Sequence, residues 1–341
     1  MTRTPTTLTW HTDHTEGTTT MRLHRGRTRL AGLLTLCLLT AACSGGGDSE
    51  EPASSEGGSE GGSAAAETVT DTIAVGSTNF TEQEIVAEMY ALALEDADYD
   101  VERRFQLGAR EVVLPALQGG DIDVYPEYVG TALEFLNGGA GEATADTAQR
   151  LGGLRENFAE SDVEVLEPAE AQDKNGLVVT PETSEELGAT AVSDLSGDAA
   201  DLTLGGPPEC PQRPLCLPGY EETYGLEFGE FASLDAGGPL TIEALASGDV
   251  DVALMFTTQG VIDERDWVLL EDDEGLQPAE NIAPAIRADS LDPQIRETLD
   301  GVSAVLTTEQ MTTLNRRVDV DEEPVAQVAE EFLTEQGVLG G

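Results

Sequence analysis

A nine-residue unit that occurs twice decides the fold of this chain. It reads Ala-Leu-Gln-Gly-Gly-Asp-Ile-Asp-Val at residues 116–124 and Ala-Leu-Ala-Ser-Gly-Asp-Val-Asp-Val at residues 244–252. Each copy predicts the end of a helix, a Gly-Asp turn and a strand with alternating buried positions. Two such units, 128 residues apart, predict two similar α/β lobes whose strand ends face a shared cleft. Coincidence is the alternative, because Gly-Asp is a common turn.

The first 43 residues have the parts of a secretory signal. A group of arginines precedes the apolar run 30–39, which is too short to span a bilayer, and Thr-Ala-Ala leads into Cys43. A cysteine directly after small residues resembles a bacterial lipoprotein signal, in which Cys43 is lipidated and becomes the mature N-terminus. An ordinary signal with Cys43 unmodified is the alternative. We interpret Met21 as the start of translation, which leaves residues 1–20 untranslated; Met1 is the other candidate.

Residues 44–67 consist almost entirely of Gly, Ser, Glu and Ala. Such a stretch cannot bury enough apolar surface to become ordered, so it predicts a flexible tether. A lipid on Cys43 followed by this tether predicts an exported protein that is anchored to the outer face of the cell membrane.

The composition excludes several classes of function. The net charge of −49 repels nucleic acid. All three histidines lie within residues 1–43, which leaves the mature chain without a histidine-based nucleophile or metal site. No phosphate-binding loop or nucleophile elbow is present, so we expect no enzyme activity, cofactor or metal. An enzyme that uses the carboxylates of Asp121 and Asp123 is the rival hypothesis.

The mature domain contains two cysteines, Cys210 and Cys216, six positions apart with two prolines between them. In an exported protein this spacing predicts a small disulfide loop. A pair of free or redox-active thiols is the alternative, although the spacing is not that of a C-x-x-C motif.

A polar loop follows the first predicted strand. Residues 72–75 are a short apolar strand, and Ser77, Thr78 and Asn79 then lead to a helix that begins near Thr81. Free backbone N–H groups at a helix start can bind an anionic group such as a carboxylate. These side chains are therefore candidate ligand contacts; simple turn residues are the alternative.

Several motifs together resemble a known family. They are Val-Gly-Ser-Thr-Asn-Phe-Thr-Glu-Gln at 75–83, Gly-Asp-Ile-Asp-Val-Tyr-Pro-Glu-Tyr-Val-Gly-Thr at 120–131, Gly-Gly-Pro-Pro-Glu at 205–209, Leu-Pro-Gly at 217–219 and Leu-Thr-Thr-Glu-Gln-Met at 306–311. This set is similar to the glycine betaine/choline (osmoprotectant) substrate-binding proteins of bacterial ABC importers. The resemblance extends from about residue 70 to the C-terminus.

The resemblance implies an α/β, two-lobed fold of the type II periplasmic-binding-protein kind. Each lobe would be a mixed sheet flanked by helices, with the ligand cleft between the lobes and two crossover segments, near Asp173–Val179 and Asn281–Ile286. The expected divisions are 68–174 for the first part of lobe 1, 175–282 for lobe 2 and 283–341 for the return to lobe 1.

The resemblance also implies a ligand site. Family members hold a trimethylammonium group in a box of tyrosines through cation–π attraction, and a carboxylate through a basic residue, an arginine and a threonine. Of these, Tyr128, Thr131 and Arg213 are kept. Thr78 replaces the lysine and Asn175 replaces a tyrosine.

The second lobe lacks the family's tyrosines at the aligned positions, which are Ile242 and Arg265 or Asp266. The sequence therefore predicts a cage with a single aromatic residue. Such a cage does not identify the ligand. Three further candidates lie at the crossover and after the second repeated strand: Asp173, Thr257 and Thr258.

The predicted function is that of a monomeric, lipid-anchored receptor. It would capture a small polar or zwitterionic solute, such as a betaine or choline, and deliver it to the permease and ATPase of an ABC importer. The alternatives are a receptor of the same fold for another betaine or an amino-acid-like solute, and a surface sensor lipoprotein that does not transport.

Overall fold

The chain folds into two mixed sheets with helices on both faces of each. The computed structural model describes residues 72–144 and 146–340, and within them it contains ten strands and eleven α-helices. The strands are β1 (Ile73–Gly76), β2 (Val101–Arg104), β3 (Val124–Tyr128), β4 (Val163–Val165), β5 (Asn175–Val179), β6 (Thr203–Gly206), β7 (Glu230–Ser233), β8 (Val252–Phe256), β9 (Val268–Leu269) and β10 (Ile282–Arg287). The helices are α1 (Thr81–Asp96), α2 (Arg110–Gly119), α3 (Val129–Leu136), α4 (Thr147–Ala159), α5 (Pro181–Leu187), α6 (Leu217–Tyr224), α7 (Pro239–Ser247), α8 (Val261–Glu264), α9 (Pro293–Ser303), α10 (Thr308–Asp319) and α11 (Val325–Gln336).

The two sheets have the same topology. The first has the strand order β2-β1-β3-β10-β4, and the second has the order β7-β6-β8-β5-β9. In each sheet, three parallel strands are followed by an antiparallel one, which is β10 in the first sheet and β5 in the second. We call the first sheet with its helices lobe 1 and the second lobe 2. The predicted two-lobed α/β class is confirmed.

Two crossover segments connect the lobes. The chain passes to lobe 2 between β4 and β5 and returns between β9 and β10. The segments lie side by side, because Gln172 forms an antiparallel bridge with Asn281, and the Asp173 N–H donates to the Glu280 carbonyl oxygen over 3.1 Å. The returning strand begins at Ile282, one residue before the expected return to lobe 1 at 283.

The repeated unit forms the same structure in both lobes. Gly120, directly after α2, has φ 80°, and Gly248, directly after α7, has φ 75°. Glycine adopts this left-handed conformation without the steric penalty of a Cβ. Strands β3 and β8 follow at the same distance, so the repeat in the sequence is a repeat of the fold.

The second aspartate of each unit has a structural role. Asp123 Oδ2 accepts a hydrogen bond from the Ala74 N–H over 2.8 Å, and Asp251 Oδ2 accepts one from the Thr203 N–H over 2.8 Å. Each carboxylate thereby ties the turn to the neighbouring parallel strand. Neither Asp121 nor Asp123 lines the cleft between the lobes.

Apolar side chains cover both faces of each sheet. Strands β1 and β3 are buried along their whole length, as expected for strands covered on both sides. In lobe 1, α1 packs with α9, α10 and α11 on one face, and α2, α3 and α4 cover the other. In lobe 2, α6 covers one face, while α7 and α8 cover the other. No helix within residues 72–144 and 146–340 has the length and apolar character needed to cross a bilayer.

The predicted disulfide is present. Cys210 and Cys216 are bonded, with their Cα atoms 5.2 Å apart, and both are buried in the core of lobe 2. The bond closes the loop that carries Arg213. The predicted signal region 1–43 with Cys43, and the predicted tether 44–67, lie outside the described residues.

Candidate functional site

A cleft between the lobes is lined by side chains from both of them and from both crossover segments. The lining residues that matter most here are Thr78, Asn79, Phe80, Arg110, Glu127, Tyr128 and Thr131 from lobe 1, Asp173 and Glu280 from the crossovers, and Asn175, Arg213 and Phe256 from lobe 2. The cleft lies where the repeated unit predicts it.

Three rings, which we call the aromatic wall, form one side of the cleft. They are Phe80, Tyr128 and Phe256. Phe80 of lobe 1 stacks on Phe256 of lobe 2 with ring centroids 4.6 Å apart, and its centroid is 6.1 Å from that of Tyr128. The expectation of a single aromatic residue in the cleft is therefore wrong.

Lobe 2 supplies its ring from a position that the repeat marks. Tyr128 is the last residue of β3 and Phe256 is the last residue of β8, so the two rings occupy equivalent positions in the two copies. Ile242, Arg265 and Asp266, which we aligned with family tyrosines, do not line the cleft. The sequence does contain a signal for Phe256. It is the aromatic residue at the position of the second repeat that corresponds to Tyr128 in the first.

Beside the aromatic wall lies a polar cluster, formed by Arg110, Glu127, Thr131 and Glu280. Arg110, the first residue of α2, is buried; its Nε and Nη2 donate to the Glu127 carboxylate over 3.0 and 2.7 Å, and Nη2 also donates to Thr131 Oγ1 over 2.7 Å. In this bidentate contact, the buried guanidinium and the buried carboxylate neutralise each other and satisfy each other's hydrogen-bonding groups. Of the cluster, only Thr131 was predicted from the sequence.

Glu280 has one bonded and one free carboxyl oxygen. Its side chain is buried, and Oε2 accepts from the Gly130 N–H over 3.1 Å and from Thr131 Oγ1 over 3.5 Å. Oε1 has no hydrogen-bond partner in the described part of the chain, although it is buried. Burial raises the pKa of this carboxyl from 4.5 to about 8, against the opposing effect of the Arg110 guanidinium.

Arg213 lines the cleft but is engaged by carboxylates. Its Nε and Nη2 donate to the two oxygens of Glu111 over 3.2 and 2.9 Å, and Nη2 lies 3.3 Å from Glu209 Oε1. Glu111 belongs to α2 in lobe 1, so this pair spans the cleft. In the present arrangement, Arg213 therefore joins the two lobes.

The loop after β1 places two of its three candidate residues in the cleft. Thr78 and Asn79 line it, and the Thr78 hydroxyl is buried without a hydrogen-bond partner among the described residues. Ser77 lies behind the cleft wall, where its Oγ donates to the Thr78 carbonyl oxygen and accepts from the Gln106 N–H. Of the three candidate residues, Ser77 alone is therefore not part of the cleft lining.

At the crossover, Asp173 and Asn175 line the cleft, but Thr257 and Thr258 do not. Asp173 Oδ1 accepts from the Thr258 N–H over 3.1 Å and from the Thr257 hydroxyl over 3.3 Å. The prediction that the two threonines face the cleft is wrong, because their hydroxyls bind carboxylates in the hinge. The Asn175 side chain donates to the Leu215 carbonyl oxygen over 3.2 Å.

A buried carboxyl, Glu82 of α1, links the two lobes behind the aromatic wall. It accepts hydrogen bonds from the Tyr128 hydroxyl over 2.8 Å, the Thr258 hydroxyl over 2.6 Å and Asn315 Nδ2 over 2.8 Å. Burial raises the pKa of Glu82, and burial together with the nearby Glu82 charge raises that of Asp173. We call Glu82, Asp173, Thr258 and Asn315 the hinge network.

The described residues contain no group of three or more His, Cys, Asp or Glu side chains arranged to hold a metal ion. The cleft itself presents aromatic faces beside hydroxyl, guanidinium and carboxyl groups.

Comparisons with known proteins agree with this chemistry. A family model described as the substrate-binding domain of ABC-type glycine betaine transport systems matches residues 71–335. A glycine-betaine-binding protein of Pseudomonas aeruginosa PAO1 is 29% identical over 282 residues, which are 79% of this chain and 89% of that protein. The glycine betaine-binding protein YehZ of Escherichia coli K12 is 28% identical over 276 residues, which are 78% of this chain and 90% of that protein.

A solved structure of a glycine betaine/carnitine/choline ABC transporter is similar with a TM-score of 0.61 and 26% identity, over 78% of this chain and 99% of that one. The residues matched by the family model, 71–335, include both sheets and all the residues that line the cleft. The chain therefore belongs to the family of substrate-binding domains of ABC-type glycine betaine transport systems.

Proposed function

We propose that this protein captures a small zwitterion with a quaternary ammonium group, of the glycine betaine type, and delivers it to the permease of an ABC importer whose ATPase is a separate subunit. The observation that carries the proposal is the aromatic wall, to which both lobes contribute, beside the polar cluster. An ammonium group over a desolvated aromatic face gains up to about 2 kcal/mol. The relatives reported above are named for glycine betaine, which has such a group.

The two ends of the cleft suit the two ends of a zwitterion. The trimethylammonium group would contact Tyr128 and Phe256, with the Asp173 carboxyl close by. The carboxylate would lie near the free hydroxyl of Thr78 and the polar cluster. Both regions are largely buried, so each contact is made in a medium of low polarity, where electrostatic attraction is stronger than in water.

The remaining candidate contacts lie on both sides of the cleft. Asn79 of lobe 1 and Asn175 and Arg213 of lobe 2 line it, so that a ligand held by all three would favour the closed form. Closure of the lobes then reports occupancy to the permease through the relative position of the two lobes.

We further propose that the protein works outside the cytoplasm on a lipid anchor, as a monomer and without enzyme activity. The support is in the sequence: a signal region at 1–43 that ends at Cys43, and a tether at 44–67. The tether would let the binding domain at 68–341 reach its permease while the lipid keeps it at the membrane. Metabolic labelling with a radioactive fatty acid tests the anchor, because Cys43→Ser should abolish the label.

Isothermal titration calorimetry tests the ligand. Residues 68–341 include both sheets and the hydrophobic clusters that pack on each face of them. This segment is therefore the protein to titrate. We expect glycine betaine to bind with a dissociation constant in the micromolar range or below and to raise the melting temperature by mass action. Carnitine and choline are the comparison ligands. Analogues without the trimethylammonium group, such as glycine, are the controls. If none of the quaternary ammonium compounds bound or stabilised the protein, the proposed function would be wrong.

A further inference from the structure

The loop that the disulfide closes, residues 210–216, touches lobe 1 across the cleft. We call it the disulfide loop. Its Arg213 donates to the Glu111 carboxylate of α2. The next residue, Pro214, lies against the loop that follows α3, where a Cβ added to Gly139 would be 2.9 Å from Pro214 Cγ. Two consecutive residues of the disulfide loop therefore join the lobes in the present arrangement.

The disulfide loop is braced from within. The bond between Cys210 and Cys216 closes it. The Arg213 N–H donates to the Cys210 carbonyl oxygen over 3.3 Å, and the Cys216 N–H donates to the Arg213 carbonyl oxygen over 3.0 Å. These contacts set the shape of the loop, but they do not set its place relative to lobe 1.

Two amide side chains hold the base of the disulfide loop. The Leu215 carbonyl oxygen accepts from Gln277 Nε2 over 3.1 Å and from Asn175 Nδ2 over 3.2 Å. Asn175 directly follows the outgoing crossover as the first residue of β5, and Gln277 lies in the returning crossover between β9 and β10. Since closure of two lobes changes the backbone at the residues that connect them, these two bonds couple the place of the loop to the hinge.

Gln277 is itself fixed in position. Its side chain is buried, its Nε2 also lies 3.4 Å from the Tyr220 hydroxyl oxygen, and its Oε1 accepts from Asn175 Nδ2 over 3.4 Å. The Gln277 backbone N–H donates to Asp272 Oδ2 over 2.7 Å. A buried amide that is bonded through both its nitrogen and its oxygen keeps one orientation, so Gln277 is a firm support for the loop.

We propose that Gln277 is a positioning residue for ligand binding: through the Leu215 carbonyl it holds the disulfide loop where Arg213 meets Glu111. This inference rests on the proposed function, in which closure of the lobes retains the ligand. Gln277 does not line the cleft, so its effect reaches the ligand through the loop. A loop that already has its closed-form position loses less conformational entropy on closure, and this slows release of the ligand.

The binding test is stopped-flow kinetics of glycine betaine with residues 68–341. Gln277→Met keeps the length of the side chain and removes its hydrogen bond to the Leu215 carbonyl. We expect the dissociation rate to rise about three- to fivefold and the association rate to stay within about twofold of the wild type. In a Glu111→Gln background the same substitution should raise the dissociation rate by less than about twofold, because the contact with lobe 1 is already lost.

Hydrogen exchange of the ligand-free protein measures the hold on the loop without any ligand. The backbone N–H groups of Arg213 and Cys216 should exchange at least about threefold faster in Gln277→Met than in the wild type. Gln294→Met is the matched control. It removes the same kind of contact, a glutamine amide that donates to the Ala97 carbonyl oxygen over 3.0 Å within lobe 1, and it should change neither the kinetics nor the exchange of the loop.

The outcomes separate this inference from the proposed function. If Gln277→Met leaves both loop exchange and dissociation as in the wild type, or raises the dissociation rate by the same factor in both backgrounds, the inference is overturned. If Gln277→Met does not fold, the same measurements on Gln277→Asn decide, because this side chain is one methylene too short to keep the bond to Leu215. If no quaternary ammonium compound binds any variant, the proposed function fails, and hydrogen exchange still shows whether Gln277 holds the loop.

Discussion

Phe80 of lobe 1 stacks on Phe256 of lobe 2, with ring centroids 4.6 Å apart. Phe80 caps α1 and Phe256 ends β8, so the contact exists only while the lobes are close together. This contact therefore joins the two lobes in the present arrangement. If the proposed function is right, binding of a quaternary ammonium and closure of the lobes depend on the same rings.

Replacement of Phe256 by leucine should weaken glycine betaine binding about 5- to 30-fold, because the aliphatic side chain fills the space but has no negative π-face. Phe256→Tyr keeps the ring and should bind within a few-fold of the wild type. Calorimetry on the two variants separates the loss of the aromatic face from a loss of packing. Equal affinities of the leucine and tyrosine variants would show that the ring does not contact the cation.

The contact between Arg213 and Glu111 gives a second prediction. Since this pair spans the cleft and is partly exposed, Glu111→Gln should weaken solute binding by up to about fivefold, through loss of a contact that favours the closed form. Glu209→Gln removes a partner of Arg213 within lobe 2 and should have a smaller effect. Tighter binding by Glu111→Gln would instead mean that Glu111 competes with the ligand carboxylate for Arg213, which is the role that the family resemblance implied.

The raised pKa of Glu280 also predicts how stability changes with pH. Burial raises the pKa of this carboxyl from its ordinary value of 4.5 to about 8 in the folded protein. Between these values the folded state holds a proton that the unfolded state has lost, so rising pH destabilises the fold by up to about 1.4 kcal/mol per pH unit from this group alone. The loss is complete once the pH exceeds about 8.

Chemical denaturation of the ligand-free protein at pH 5, 6, 7 and 8 measures this slope. Glu82 and Asp173 also have raised pKa values and act in the same direction, so the contribution of Glu280 is the difference between the wild type and Glu280→Gln. We expect a flatter profile for the variant. Parallel profiles would show that Glu280 is ionised in the folded protein at all four pH values.

The sequence predicted the fold better than the cleft, for reasons that particular residues make clear. Gly120 and Gly248 mark the repeated unit within nine residues, so the two lobes can be read locally. Tyr128 and Thr131 lie on the same local segment as the first copy and were found with it. Glu280 is 152 positions from Tyr128, and only the pairing of β10 with β3 brings the two together.

Other residues were missed or misplaced because their positions depend on contacts between distant segments. Arg110 opens a helix and would ordinarily be read as a solvent-exposed charge; its burial depends on Glu127, which comes from the next strand. Thr257 and Thr258 were assigned to the cleft by analogy with the segment after β3. Instead, the Thr257 hydroxyl binds Asp173 and the Thr258 hydroxyl binds Glu82. No pattern in the sequence reveals these contacts.

The hinge network gives the last prediction. Thr258 of lobe 2 donates its hydroxyl proton to Glu82 of lobe 1 over 2.6 Å, and both side chains are buried. Thr258→Val keeps the shape of the side chain but leaves the carboxyl with one donor fewer in a site without access to water. We expect this to cost about 1–3 kcal/mol of unfolding free energy and to lower the melting temperature by roughly 2–10 °C in a domain of this size.

Thr313→Val is the matched control, because Thr313 is exposed on α10 and its hydroxyl bonds only within the helix. It should change the melting temperature by no more than about 2 °C. Glu82 also accepts from the Tyr128 hydroxyl, so loss of the Thr258 contact should also disturb the position of the Tyr128 ring. Thr258→Val should therefore reduce glycine betaine affinity even at temperatures where the protein is fully folded. A variant that is destabilised but binds with unchanged affinity would confine the hinge network to a structural role.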